Sequence, residues 1–138
     1  MNRLMSKANL ARFILGGVYI VASIINFSFA INNSQIYRDW AGSALLSYYE
    51  NLMLSLSNEQ LVMVLLTVVI FQLTMGLLIL SKGNLVKIGL VMAILFHLII
   101  TPWGYWSLPN LLLALVPIYL IRKDFDSSFL SILFSKIR

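Results

Sequence analysis

Residues 88–121 read IGLVMAILFHLIITPWGYWSLPNLLLALVPIYLI, a run without a single Asp, Glu, Lys or Arg. A helix needs about 20 apolar residues to cross roughly 30 Å of hydrocarbon, so the run is too long for one crossing and suits two. It breaks at Thr101-Pro102-Trp103-Gly104: Pro102 has no N–H and disfavours helix at the residue before it, and Gly104 accepts a tight turn. The run is therefore read as a helical hairpin with spans at about 85–101 and 104–121. Two further stretches are of spanning length, about 10–31, uncharged after Arg12, and about 60–80, uncharged beyond Glu59.

The charges test this count. With four spans, Arg3, Lys7, Arg12, Lys82, Lys87, Arg122, Lys123, Lys136 and Arg138 fall on one side and Arg38 alone on the other. Cationic residues favour the cytoplasmic loops, so both termini are expected there. A three-span chain would put the basic tail opposite the basic N-terminus. The apolar run after Arg3 and Lys7 exceeds the usual signal-peptide core of about 7–15 residues, so the first span is read as retained.

Composition agrees. The 138 residues are 60% hydrophobic and 11% charged, whereas an ordinary globular chain is about 45–50% apolar and about 25% charged. Too few polar residues remain to cover a water-facing surface, which excludes a soluble enzyme, a nucleic-acid-binding module and a disordered tail. The net charge of +5 is read as orientation in the bilayer. No cysteine is present, which removes disulfides, thiolate metal sites and a dithiol relay, and no metal site is expected.

Outside the spans, Ile36, Trp40, Ala44, Tyr48 and Leu52 recur every four residues, which predicts one amphipathic helix over about 34–54 on the outer membrane face, its aromatic rings at headgroup depth. Ser57-Asn58-Glu59-Gln60 is a capping-box pattern that starts the second span. After Arg122-Lys123, the stripe Phe125, Phe129, Leu133 and Ile137 predicts an amphipathic tail over about 125–137, resting on the cytoplasmic leaflet or docking a partner. Asn32-Asn33-Ser34 matches a glycosylation sequon too close to the end of a span to be used.

Polar side chains inside lipid are costly, so they mark candidate sites. No acidic or basic residue lies deep in a span, and Arg12 and Lys87 are near enough to the inner face to snorkel; a proton pump built on a buried carboxylate is not expected. His97, the only imidazole, is either tied to a neighbouring helix or in contact with a lipophilic ligand such as a quinone carbonyl. A single His excludes bis-histidine haem within one protomer. Tyr19, Ser23 and Asn26 share one face of the first span, and Gln72 sits mid-way along the second. Either they pair between helices for packing specificity, or Asn26, Gln72 and His97 line a polar pocket. Trp103, Tyr105 and Trp106 form an aromatic belt at the outer turn or a lid over a flat ligand. Gly16, Gly17, Gly76 and Gly89 permit close helix approach, and Pro117 is expected to kink the fourth span.

Ala11-Arg12-Phe13-Ile14-Leu15-Gly16, the polar stretch from Ser23 to Asn26, and Gln72-Leu73-Thr74-Met75-Gly76-Leu77-Leu78-Ile79-Leu80 resemble DoxX-like membrane proteins over roughly residues 8–122. The long outer segment and the short basic loop from Ser81 to Lys87 share the resemblance. It implies a four-helix membrane bundle with cytoplasmic ends, associated with quinone-linked redox systems such as a thiosulfate:quinone oxidoreductase. Family members usually carry an acid where this chain has Gln72, so the resemblance transfers no proton-linked chemistry and no catalytic residue.

The expectation is an all-α integral membrane four-helix bundle with an outer amphipathic helix and a cytoplasmic amphipathic tail. It is read as an accessory subunit of a membrane redox or respiratory assembly, surrounded by lipid and other membrane subunits or copies of itself, with no nucleic-acid partner and no intrinsic cofactor. His97, Gln72, Asn26, Trp103 and Tyr105 are the candidates for contact with a quinone-like ligand. A stand-alone quinone-binding oxidoreductase component and a transporter of a small neutral or lipophilic solute are the alternatives.

Overall fold

A computed structural model describes residues 6–135; Arg3, Lys136, Ile137 and Arg138, used above for orientation or for the tail stripe, lie outside them. The described chain is helical and contains no strand: α1 Lys7–Asn32, α2 Ile36–Ala41, α3 Ser47–Ser55, α4 Asn58–Leu80, α5 Asn84–Ile100, α6 Pro109–Leu120 and α7 Phe129–Ser135. Short 3-10 turns at Thr101–Trp103 and Tyr105–Ser107 join α5 to α6. Three helical stretches are long and apolar enough to cross a membrane: Lys7–Asn32, Asn58–Leu80 and Asn84–Trp103, with mean hydropathies of 2.0, 2.6 and 2.1. Their outward faces carry exposed apolar residues, such as Ile14, Val18, Val21 and Ile25 on α1. That surface suits a helical bundle in lipid.

α1 packs along α4, α4 against α5, and α5 against α6. Small residues set the spacing. A Cβ on Gly76 would lie 2.9 Å from the Gly16 carbonyl oxygen, and one on Gly89 2.9 Å from the Ile79 nitrogen, so α1–α4 and α4–α5 meet backbone to backbone. Gly17 has nothing within 4 Å. α4 begins at the capping box read from the sequence, with Ser57 Oγ accepting from the Gln60 N–H and Gln60 Oε1 from the Ser57 N–H.

The outer segment differs from expectation. In place of one helix over 34–54 there are two, because the Trp40 carbonyl accepts from both the N–H and the hydroxyl of Ser43, and the Leu45 N–H turns away to Pro102 O at 3.0 Å. A tertiary hydrogen bond outweighs the continuous stripe. Arg38 holds this cap down by donating to Gln35 Oε1, Asn58 Oδ1 and Leu56 O. The last apolar helix is also shorter than the expected 104–121. Gly104 and Pro109, neither suited to a continuous helix interior here, leave α6 with 12 residues, about 18 Å of rise. Pro117 lies buried inside it.

The bundle has two unlike ends. At the basic end, where α1 begins, α4 ends, α5 begins and α6 ends, Arg12 does not snorkel. It is fully buried, donating to Asn9 Oδ1, Ser81 O and Ser127 O and lying over the rings of Phe13 and Phe125 at 4.7 and 4.6 Å. One side chain thus ties α1 to the α4–α5 loop and to the tail. Gly83, at φ 60°, donates its N–H to Phe125 O, Lys87 pairs with Asp124, and Phe129 packs edge-on against Phe13. The tail helix accordingly starts at Phe129, while Phe125 is buried in the core. At the aromatic end, Tyr37, Ala41 and Met53 of the cap close over Ala30, Leu61 and Leu65.

Candidate functional site: a polar chamber beside an apolar groove

Two hydrogen-bonded chains cross the bundle. In the first, the Tyr37 hydroxyl donates to Asn26 Oδ1 at 2.7 Å, and Asn26 Nδ2 donates to Gln72 Oε1 at 2.8 Å, linking α2, α1 and α4. In the second, the Tyr19 hydroxyl lies 2.6 Å from His97 Nε2, and His97 Nδ1 lies 3.1 Å from Asn110 Oδ1. Because an amide oxygen only accepts, Nδ1 carries the proton and donates to Asn110, and Nε2 accepts from Tyr19. Both ring nitrogens of His97 are thereby used, and this chain links α1, α5 and α6. Thr101 Oγ1 donates to His97 O, and Ser107 Oγ to Thr101 O and Gly104 O, so the α5–α6 turn is held by hydroxyls.

The two chains end at one cavity. A chamber of about 180 Å³ is lined by Asn26, Tyr37, Gln72 and Asn110 together with Trp40, Trp103 and Trp106. Of the residues nominated from sequence, Asn26, Gln72 and Trp103 line it. His97 stands behind Asn110 and orients it, and Tyr105 is exposed outside it in a separate recess. Asn110 and Tyr37 were not nominated. Asn110 is a polar side chain inside the uncharged run, the same signal that singled out Gln72. Tyr37 falls next to, not on, the four-residue stripe of the outer segment, and nothing in that spacing marks it. Burial pushes the Tyr37 phenol up to about 12, so it stays a hydrogen-bond donor across the ordinary pH range.

Pairing within the chains leaves a residue of one kind. Gln72 and Asn110 each spend their amide oxygen on a neighbour, and neither side-chain nitrogen has an acceptor among the described residues. Trp103 Nε1 is buried with none either. Two N–H donors, on Gln72 and Asn110, are thus open on residues that line the chamber. A complementary molecule brings acceptor oxygens, and with no charged side chain lining the chamber a neutral carbonyl suits it better than a carboxylate.

Beside the chamber lies a groove of about 320 Å³ between α4 and α5, roofed by Tyr49 and Leu52 of α3. Its lining is almost wholly apolar. It shares Val68, Phe96, Ile100 and Trp103 with the chamber, so side chains, not backbone, separate the two. Among the described residues no group of His, Cys, Asp and Glu could hold a metal ion. Family models, curated proteins and solved structures offer no match to this chain, and the reading of the chamber rests on its own residues.

Proposed function

We propose that the chain is a membrane protein of four spans, its basic end and both termini cytoplasmic and its aromatic end outward, that holds a neutral lipophilic molecule of the quinone class in the chamber. Three strongly apolar helices and the gathering of Lys7, Arg12, Lys82, Lys87, Arg122 and Lys123 at one end support the topology. In this reading the chain supplies walls and N–H donors, and acts as an accessory subunit of a membrane redox assembly whose other subunits dock on its exposed apolar faces. The kinship with DoxX-like proteins belongs to the same proposal.

The observation that carries it is the placement of an acceptor-seeking polar chamber against an apolar groove across only four side chains. A quinone has that division, carbonyl oxygens on a ring and an apolar chain. The test is purification in mild detergent followed by solvent extraction and mass spectrometry of what remains bound. An isoprenoid quinone close to one per chain is expected from the wild type and is lost from Gln72→Leu and Asn110→Leu. Equal quinone recovery from all three, or none from the wild type, refutes the reading. Crosslinking in the same membranes separates the subunit role, which requires a second polypeptide to be captured with this one.

A further inference from the structure

The chamber has a second neighbour. Trp40 and Trp106, which line it, also line a recess of about 480 Å³ with Asp39, Ser43 and Tyr105. Asp39 and Tyr105 are exposed, so the recess opens to the surface of the protein. Only the indole pair, with ring centroids 5.1 Å apart and tilted by 45°, is common to the two cavities. Trp106 keeps its place because Gly104 has no side chain: a Cβ there would collide with the Trp106 indole and with Ser43 Oγ.

On the opposite side the apolar groove continues. Thr67 and Phe71 of the groove also line a further apolar cleft with Ile70, Thr74 and Met92. The track from Val64 to Thr74 along α4 is about 15 Å long, and it adjoins the chamber through the shared side chains. It fits one chain. The recess beyond the indoles shares no lining residue with this track.

We infer that the site takes a single-chained neutral amphiphile, loaded sideways from the bilayer with its carbonyl head in the chamber and its chain along the α4–α5 face, and that the Trp40–Trp106 pair is a gate through which water-soluble molecules reach that head. The ligand class deepens the function proposed above and rests on it. The gate rests on the shared walls alone. Opening requires the Trp106 indole to swing off Gly104, a side-chain motion without helix movement. The bound head then meets the recess while its chain stays in lipid.

All three tryptophans of the chain line the chamber, so intrinsic fluorescence reads the site directly. The protein is reconstituted in phosphatidylcholine vesicles and quenched from water by acrylamide and from the bilayer by a decyl-chain benzoquinone. The expected result for the wild type is saturable quenching by the quinone and weak quenching by acrylamide. Gly104→Ala, which displaces Trp106, raises the acrylamide quenching constant severalfold and leaves quinone saturation in place. Trp106→Leu likewise raises acrylamide quenching of the two remaining indoles and covers the case in which the glycine variant does not fold. Val68→Phe, in the wall shared with the groove, has the opposite pattern, with quinone saturation lost and acrylamide quenching unchanged. Unchanged acrylamide access in both gate variants overturns the gate. A two-chained diacylglycerol that competes with the quinone as well as a single-chained methyl ester does overturns the single-chain assignment. Quinone quenching that never saturates in the wild type refutes the binding function itself, whatever the gate variants do.

Discussion

Replacing Gly76 by Ala and Gly17 by Ala should have opposite consequences, although both put the same methyl group on a long apolar helix. Each exchange gains about 0.8–1.0 kcal/mol of intrinsic helix preference, and that gain cancels when the two variants are compared. At Gly17 the new Cβ meets nothing within 4 Å. At Gly76 it lies 2.9 Å from the Gly16 carbonyl oxygen and from Ile20 Cγ1, about 0.5 Å inside the 3.4 Å at which such a contact becomes ordinary. The obstacle is backbone, so α1 and α4 must separate, which loosens Leu15, Tyr19, Met75 and Ile79 of the core. Overpacking of this kind costs about 1–3 kcal/mol. The difference between the variants should therefore fall in that range, with Gly17→Ala at or above wild-type stability. Reversible unfolding in mixed micelles, followed by far-UV circular dichroism against denaturing detergent fraction, measures it. Equal stability of the two variants would refute a glycine-set α1–α4 contact.

Three more outcomes follow from individual side chains. Arg12→Gln removes three charge-assisted donations and two ring contacts; net of the relief of a buried charge, a loss of about 2–4 kcal/mol is expected, with proteolysis near Phe125 accelerated. Arg12→Lys should not restore it, because an ammonium lacks the planar fork that reaches three oxygens, and full rescue would contradict the clamp. Asn26→Leu and Gln72→Leu, combined in a double-mutant cycle, should show a coupling of about 0.6–1.7 kcal/mol, and a coupling of zero would mean that the α1–α4 amide pair does not form. Tyr37 has its phenol raised from 10.0 to about 12 by burial, so its contribution is complete below pH 10 and is lost as pH rises towards 12; the stability difference between wild type and Tyr37→Phe should shrink over that interval, and a constant difference would argue against a buried phenol.

The long helices were legible because hydropathy over twenty residues is a property of the segment itself. The capping box at Ser57 and Gln60 is equally local, and it forms as its spacing predicts. What the sequence hid depended on contacts across the chain. The stripe from Ile36 to Leu52 satisfies every condition for one helix, yet the Leu45 N–H finds Pro102 O, 57 positions away, and the segment folds as two. Arg12 has the place of a snorkelling residue near a helix start, but Ser81 O and Ser127 O arrive from two distant loops and make inward burial possible. At the site, Asn26 and Gln72 could be picked by the cost of polar groups in lipid, whereas their junction with Tyr37 required knowing that the cap folds back over α1.

The two hydrogen-bonded chains bear on whether these polar residues serve only to pair helices. A purely architectural network would close on itself, since an unsatisfied buried donor costs about 1–3 kcal/mol and apolar surroundings give it no substitute. His97 meets that standard, with both nitrogens used. Gln72 and Asn110 do not: every oxygen in the two chains is engaged, while the two open groups are both N–H and both belong to residues that line one chamber. Incompleteness at random within these two chains would leave donors and acceptors alike. Donors alone, gathered beside an apolar track, are what a carbonyl-bearing amphiphile would complete, and filling that wall with apolar side chains of similar volume should stabilise the empty protein while abolishing the proposed quinone binding.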